Sequence, residues 1–227
     1  MPRTDEPTAL SEQGEAVRCS MVLYLSGNIA KGSAEVIEAD DKWTAEDEAR
    51  LADGVTSCRV VLINPARSSV RRSDPVANFG ADIYLVASSD AVVVDARGRR
   101  GVGVGAEMMF ARLVGVPVIT VSPPNSAYRQ EHVLDYNGED IDNWVHPFIA
   151  ELSSAIVSTV DEAASLLNQL GLSGVRSLTY RPLEESVALF LRQYLDDAVA
   201  SSAALDRIRA AGRVRSLVAD GAAAQGA

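Results

Sequence analysis

Glu107 stands in the run Gly101-Val-Gly-Val-Gly-Ala-Glu-Met-Met-Phe-Ala, a single carboxylate among glycines and apolar side chains. An acid in such surroundings can serve as a nucleophile or as a charge stabiliser, because excluding water strengthens its electrostatics and perturbs its ionisation. Two further acids stand nearby in sequence, Asp82 and Asp95, and either could supply the proton that a departing group needs. Gly101, Gly103 and Gly105 leave room for a ligand to come close to the backbone. Ser26-Gly27-Asn28, directly after the first apolar run, offers small residues of the same use. Arg67 and Arg71, with Arg72 and several serines around them, suit the oxygens of a phosphate.

Each of these has a plainer reading. Glu107 could be an ordinary acid of a first helical turn. Asp82 could be solvated on its helix, Asp95 could start a turn, and the arginine loop could be a basic surface. Ser26 and Asn28 could be turn residues alone. Met108 and Met109 read as packing, His132 and His146 as structural, and Cys19 and Cys58 as buried thiols, since two cysteines make no disulfide framework. The three glycines lack the full spacing of a dinucleotide fingerprint and follow a third strand instead of a first, which argues against nicotinamide binding.

The elements that must carry these residues alternate. Ser20–Leu25, Arg59–Ile63, Ala91–Val94, Val116–Val121 and roughly Ala155–Ser158 read as strands rich in β-branched residues. Between them lie helix-compatible segments: Glu35–Leu51, with a variant capping box at Thr44 and Asp47 and a stop at Gly54; Val76–Ser88, bearing Asp82; and the Glu107 segment, with the acid expected in its first turn. Val145–Ile156 reads as a short helix leading into the fifth strand, and Thr159–Leu170 as an amphipathic helix ending at Gly171. Pro123–Asp142 shows no clear period and reads as a long polar loop, a candidate lid. This alternation predicts an α/β doubly wound parallel sheet. Residues 1–18 read as a flexible tail, 19–172 as the α/β domain, and 173–227 as a helical extension with a disordered end.

The 227 residues suffice for one good-sized domain with its own core. A formal net charge of -10 disfavours binding along a nucleic-acid polymer, which needs a basic face. No run reaches the ~18 apolar residues that span a bilayer, and the N-terminal stretch has no signal-peptide core, so the expected setting is cytoplasmic, away from membranes.

Taken in order, YLSGNI, ADIYLVASSDAVVV, the run Gly103–Glu107 and Ala111 to Val118 (ARLVGVPV) resemble the nucleoside 2-deoxyribosyltransferase family, sharply only between Ile83 and Val121. The resemblance implies a flavodoxin-like sheet of about five parallel strands and cleavage of an N-glycosidic bond. In that chemistry a deoxyribosyl group passes to another base or to water. It implies Glu107 as the nucleophile, supported by Asp82 or Asp95, with no metal or organic cofactor and a nucleoside or nucleotide as the small-molecule partner. It also implies a homo-oligomer, a dimer or larger, in which neighbouring subunits complete each pocket. Relatives that hydrolyse nucleoside 5′-monophosphates share the glutamate, and the arginine loop favours that hydrolase reading over transfer. The pattern departs from the family at Gly101, where it has aspartate, at Val104, where it has threonine, and at Val116, often lysine there. A nucleotide sensor without turnover is therefore an alternative, and a flavin-bearing oxidoreductase a more distant one.

Overall fold

The computed structural model describes residues 19–27, 43–67, 73–136, 138–193 and 206–207. The expected tail over 1–18, most of the expected helix before Trp43, Asn28, Arg71, Arg72 and the chain's end lie outside the described residues.

Five strands form one parallel sheet: β1 (Ser20–Ser26), β2 (Arg59–Ile63), β3 (Ala91–Asp95), β4 (Val118–Val121) and, after an insertion, β7 (Ala155–Val157). Their order is β2-β1-β3-β4-β7, the flavodoxin-like arrangement, whose direction of winding reverses between β1 and β3. At that reversal the helices leave a crevice at the carboxyl ends of the strands, which is where open α/β sheets bind ligands.

Helix α1 (Ala45–Gly54) starts on a capping box: Thr44 Oγ1 accepts from the Asp47 N–H at 3.0 Å, and the Thr44 N–H donates back to the Asp47 carboxylate at 3.3 Å. Helix α2 (Pro75–Ala87) has Pro75 in its first turn and Asp74 as its N-cap. Helix α3 (Val102–Val114) ends at Gly115, whose φ of 75° is left-handed and suits glycine. Met21, Leu23 and Leu25 alternate along β1 and pack with Leu51 of α1, with Val55 just after it, and with Ala163, Ala164 and Leu167 of α5 (Val160–Arg176). Gly54 lets α1 approach α5 closely, since a Cβ there would lie 2.8 Å from that of Ala164.

The structure corrects the sequence reading in four places. The stretch expected to be a loop over Pro123–Asp142 holds an antiparallel hairpin, β5 (Arg129–Tyr136) and β6 (Glu139–Val145), outside the main sheet. The dipeptide Asn137-Gly138 is by sequence a strong hairpin signal, and Gly138 has φ +87°. Cys19 and Cys58 are joined in a disulfide instead of being buried thiols. The parallel register that sets Ser20 beside Arg59 puts the two preceding cysteines side by side, with Cα atoms 5.0 Å apart. Gly171 breaks α5 with a φ of 59°, yet the helix resumes and runs to Arg176, past the expected domain boundary at 172. Only the short α4 (Pro147–Leu152) occupies the expected helix over Val145–Ile156.

The chain divides into two compact units, residues 1–178 and 179–227. In the second, α6 (Leu183–Gln193) carries Glu184 and Glu185 in its first turn and Arg192 in its last, charges that complement the helix dipole. Among the described residues no helix is long and apolar enough to cross a membrane.

Candidate active site

Successive side chains of a strand face opposite ways, so the residues of β1 that alternate with its core positions look toward α2 and α3. Tyr24 and Ser26 are these residues, both fully buried, and between them they hold Glu107. The Tyr24 hydroxyl donates to Glu107 Oε1 at 3.0 Å, and the Ser26 hydroxyl donates to Oε2 at 2.5 Å. Glu107 itself is 7% exposed. Asp82, half-buried on α2, bears on the same phenol through its charge and a hydrogen bond. Strand β1 and the two helices α2 and α3 thus bring two carboxylates and two hydroxyls together.

Burial pushes the Tyr24 phenol well above its ordinary range, and the charges of Glu107 and Asp82 push it further. The phenol therefore stays protonated, a permanent donor toward Glu107. That explains how a buried acid is tolerated here: hydroxyl donors replace the water it has lost.

Glu107 is the sixth residue of α3, in the second turn; the first turn contains no acid. The expected place in the first turn is thereby corrected, and dipole effects fade beyond that turn, so the helix start does little for this carboxylate. The hydroxyls of β1 do that work instead. Gly101 is the N-cap and offers no capping side chain, and Gly103 lies in the first turn of the helix. Cβ atoms added at Gly101 or Gly105 would meet nothing within 4 Å, so the approach past these two positions is open.

Asp95 closes β3 and is fully buried, but its oxygens are already engaged. Oδ1 accepts from the Arg97 backbone N–H at 3.1 Å and from Arg97 Nε at 2.9 Å, and lies 2.8 Å from Arg100 Nη2. Oδ2 accepts from Arg97 Nη2 at 3.1 Å. This arrangement fits a residue that shapes the loop ahead of α3 better than it fits a proton donor. Arg97 also forms a bidentate pair with Asp47, at 3.1 and 2.8 Å, and its guanidinium lies 5.8 Å from the centre of the Trp43 ring. Burial alone would raise the Asp47 carboxyl, but the Arg97 hydrogen bonds, the Thr44 contacts and the Arg97 charge outweigh it and lower it. For Arg97, burial works against the charge, yet Asp95 and Asp47 prevail and raise it.

Trp43 completes the frame, its Nε1 donating to the Ser26 carbonyl at 3.0 Å. Gly27 sits close beside it: a Cβ there would lie 3.0 Å from Trp43 Cδ1 and 3.2 Å from Nε1, tight enough to press on the ring. The hairpin roots on the same edge, where Tyr128 Oη accepts from the Arg100 N–H at 2.8 Å.

Of the residues singled out from sequence, the structure brings Glu107, Asp82 and Ser26 together through Tyr24. Ser26, expected to touch a ligand, spends its hydroxyl on Glu107. Arg67 follows edge strand β2 and pairs with Glu48 at 2.8 Å, lining a cavity of about 410 Å³ with Asn64, Pro65, Leu62 and Leu85. Asn28 and Arg71 lie outside the described residues. His132 pairs with Asp142 across the hairpin, and His146 caps α4. Tyr24 was not singled out, though its place two residues before Ser26 marks it as sharing that residue's face.

No family model and no curated protein matches the chain. Among solved structures, the 2-deoxyribosyltransferase from Leishmania mexicana is similar at 18% identity and a TM-score of 0.38, over 77% of this chain and 99% of its own. The 2-deoxyribosyltransferase from Bacillus psychrosaccharolyticus is similar at 12% identity and a TM-score of 0.43, over 70% of this chain and 98% of its own.

Proposed function

We propose that this chain cleaves the N-glycosidic bond of a nucleoside or nucleoside 5′-monophosphate, with Glu107 as nucleophile and water as the favoured acceptor. The observation that carries the reading is Glu107 itself, buried at the β1–β3 reversal with each carboxylate oxygen held by a hydroxyl of β1. As the sugar–base bond breaks, positive charge grows on C1′ and negative charge on the base. One oxygen of Glu107 attacks C1′, the C1′–N bond breaks toward the base, and a glycosyl ester forms. Asp82, taking up a proton from solvent as substrate binds, protonates the leaving base in preference to Asp95, whose oxygens are taken up by Arg97 and Arg100. Water or a second base then attacks C1′ and returns the carboxylate.

Incubation with a panel of nucleosides and monophosphates tests this. Free base without an acceptor means hydrolysis; exchange only with an added base means transfer. Glu107→Gln keeps the side chain's shape and should cut turnover by at least ~10³-fold; activity within tenfold of the parent would overturn the assignment. A sensor that binds without turnover is the second reading, favoured by the uncapped Gly101 where the resembled family has aspartate. Tight binding with no base released would select it.

Self-association is part of the proposal. Val76, Phe79 and Tyr84 of α2 and Leu113 of α3 are exposed apolar side chains on the two helices that carry Asp82 and Glu107. Sedimentation should show a dimer or larger, and Phe79→Glu should dissociate it. The cytoplasmic setting and the Cys19–Cys58 bond pull in opposite directions, because reducing compartments keep such pairs as thiols. Alkylation in freshly lysed cells reads which holds.

A further inference from the structure

Tyr24 holds one oxygen of Glu107, and Ser26 commits a second, fully buried hydroxyl to the other. We propose that Ser26 is a positioning residue that holds Glu107 in its ionised form and eases release of its carboxylate when the glycosyl ester breaks down. This rests on the glycosidase reading above.

The geometry makes the Ser26 hydroxyl dedicated to that task. Its site is closed to solvent, so no water competes for it. Its own carbonyl is tied to Trp43 Nε1, and Gly27 packs against the same ring, so the strand end has little room to shift. A hydrogen bond to a carboxylate favours the anion over the acid. The same bond makes the oxygen a weaker nucleophile toward C1′ and a better leaving group from it. In the second half of the reaction water attacks C1′, the C1′–Oε bond breaks, and its electron pair returns to Glu107; the water's proton goes to Asp82, left as the anion by the first half. Ser26 keeps its own proton throughout and supplies no atom to the product.

The test uses Ser26→Ala, with Ser26→Thr as the variant that restores a hydroxyl. In Ser26→Ala the acid limb of the kcat/KM profile should move up by about one pH unit. Its kcat should fall more than its kcat/KM, with a burst of free base and a glycosyl adduct visible by intact-protein mass. Ser26→Thr should return the limb toward its original place. A profile coincident with the parent, without a burst, would overturn the proposal. Titration of the ¹³C-labelled Glu107 carboxyl, assigned with Glu107→Gln, reads ionisation without any turnover. An upward shift there in Ser26→Ala with no base released by the parent protein would remove the glycosidase reading and leave the ionisation role standing. An unshifted resonance would remove the Ser26 role whatever the activity.

Discussion

Tyr24→Phe removes one oxygen atom from a fully buried position and leaves the ring's packing in place. The lost group donates to Glu107 Oε1 at 3.0 Å and also bears on Asp82. A hydrogen bond to a charged group is worth about 1.5–3 kcal/mol. At 1.36 kcal/mol per tenfold, that is roughly a 10- to 150-fold fall in kcat/KM if the contact is fully used in the transition state. A second effect has a definite sign. The phenol favours the ionised carboxylate, so without it Glu107 keeps one donor fewer and its protonation becomes easier. The acid limb of the rate profile must then move to higher pH. The assay is base release from the best substrate of the panel, followed from pH 4 to 9 for both proteins. A kcat/KM within twofold of the parent, with an unmoved acid limb, would refute the account of Tyr24 as the donor that keeps Glu107 charged. An ultraviolet titration makes a separate check: the Tyr24 phenol should stay protonated well past its ordinary value of 10.0.

Three further outcomes follow from the frame around the site. Arg97→Met should lower the urea midpoint at neutral pH, and the gap from the parent should shrink as pH falls below the ordinary Asp47 value of 3.8. A depressed carboxylate stabilises the fold above its unfolded pKa and loses that contribution once protonated, so a gap independent of pH would contradict this. Gly27→Ala should cost about 1–3 kcal/mol by pressing on Trp43, with activity falling because Ser26 moves with it; thermal denaturation and base release measure the two. Replacing Cys19 and Cys58 by serine opens a link spanning 39 residues, which chain entropy values at about 4 kcal/mol; denaturant titration of oxidised, reduced and substituted protein should place the last two together.

The parallel sheet could be read from the chain because each of its elements declares itself locally. The apolar runs Arg59–Ile63 and Ala91–Asp95 are buried or edge strands as their β-branched residues require, and Thr44, Pro75 and Gly115 mark helix ends by their own backbone chemistry. The hairpin escaped because Arg129–Tyr136 and Glu139–Val145 are polar in sequence, so no apolar alternation announces them. The dipeptide Asn137-Gly138 was the available signal.

Sequence also settled that Glu107 is a carboxylate among glycines and apolar residues, because composition and spacing are properties of a short segment. What it could not settle was what meets that carboxylate. Tyr24 and Glu107 are 83 positions apart, and they touch only because strand order sets β1 beside β3 and α3 packs on the face that Tyr24 and Ser26 share. Cys19 and Cys58 pair for the same reason, a parallel register that no local pattern encodes. Element identity is decided by neighbours along the chain, whereas the partners of a buried polar group are decided by which faces the packed sheet brings together.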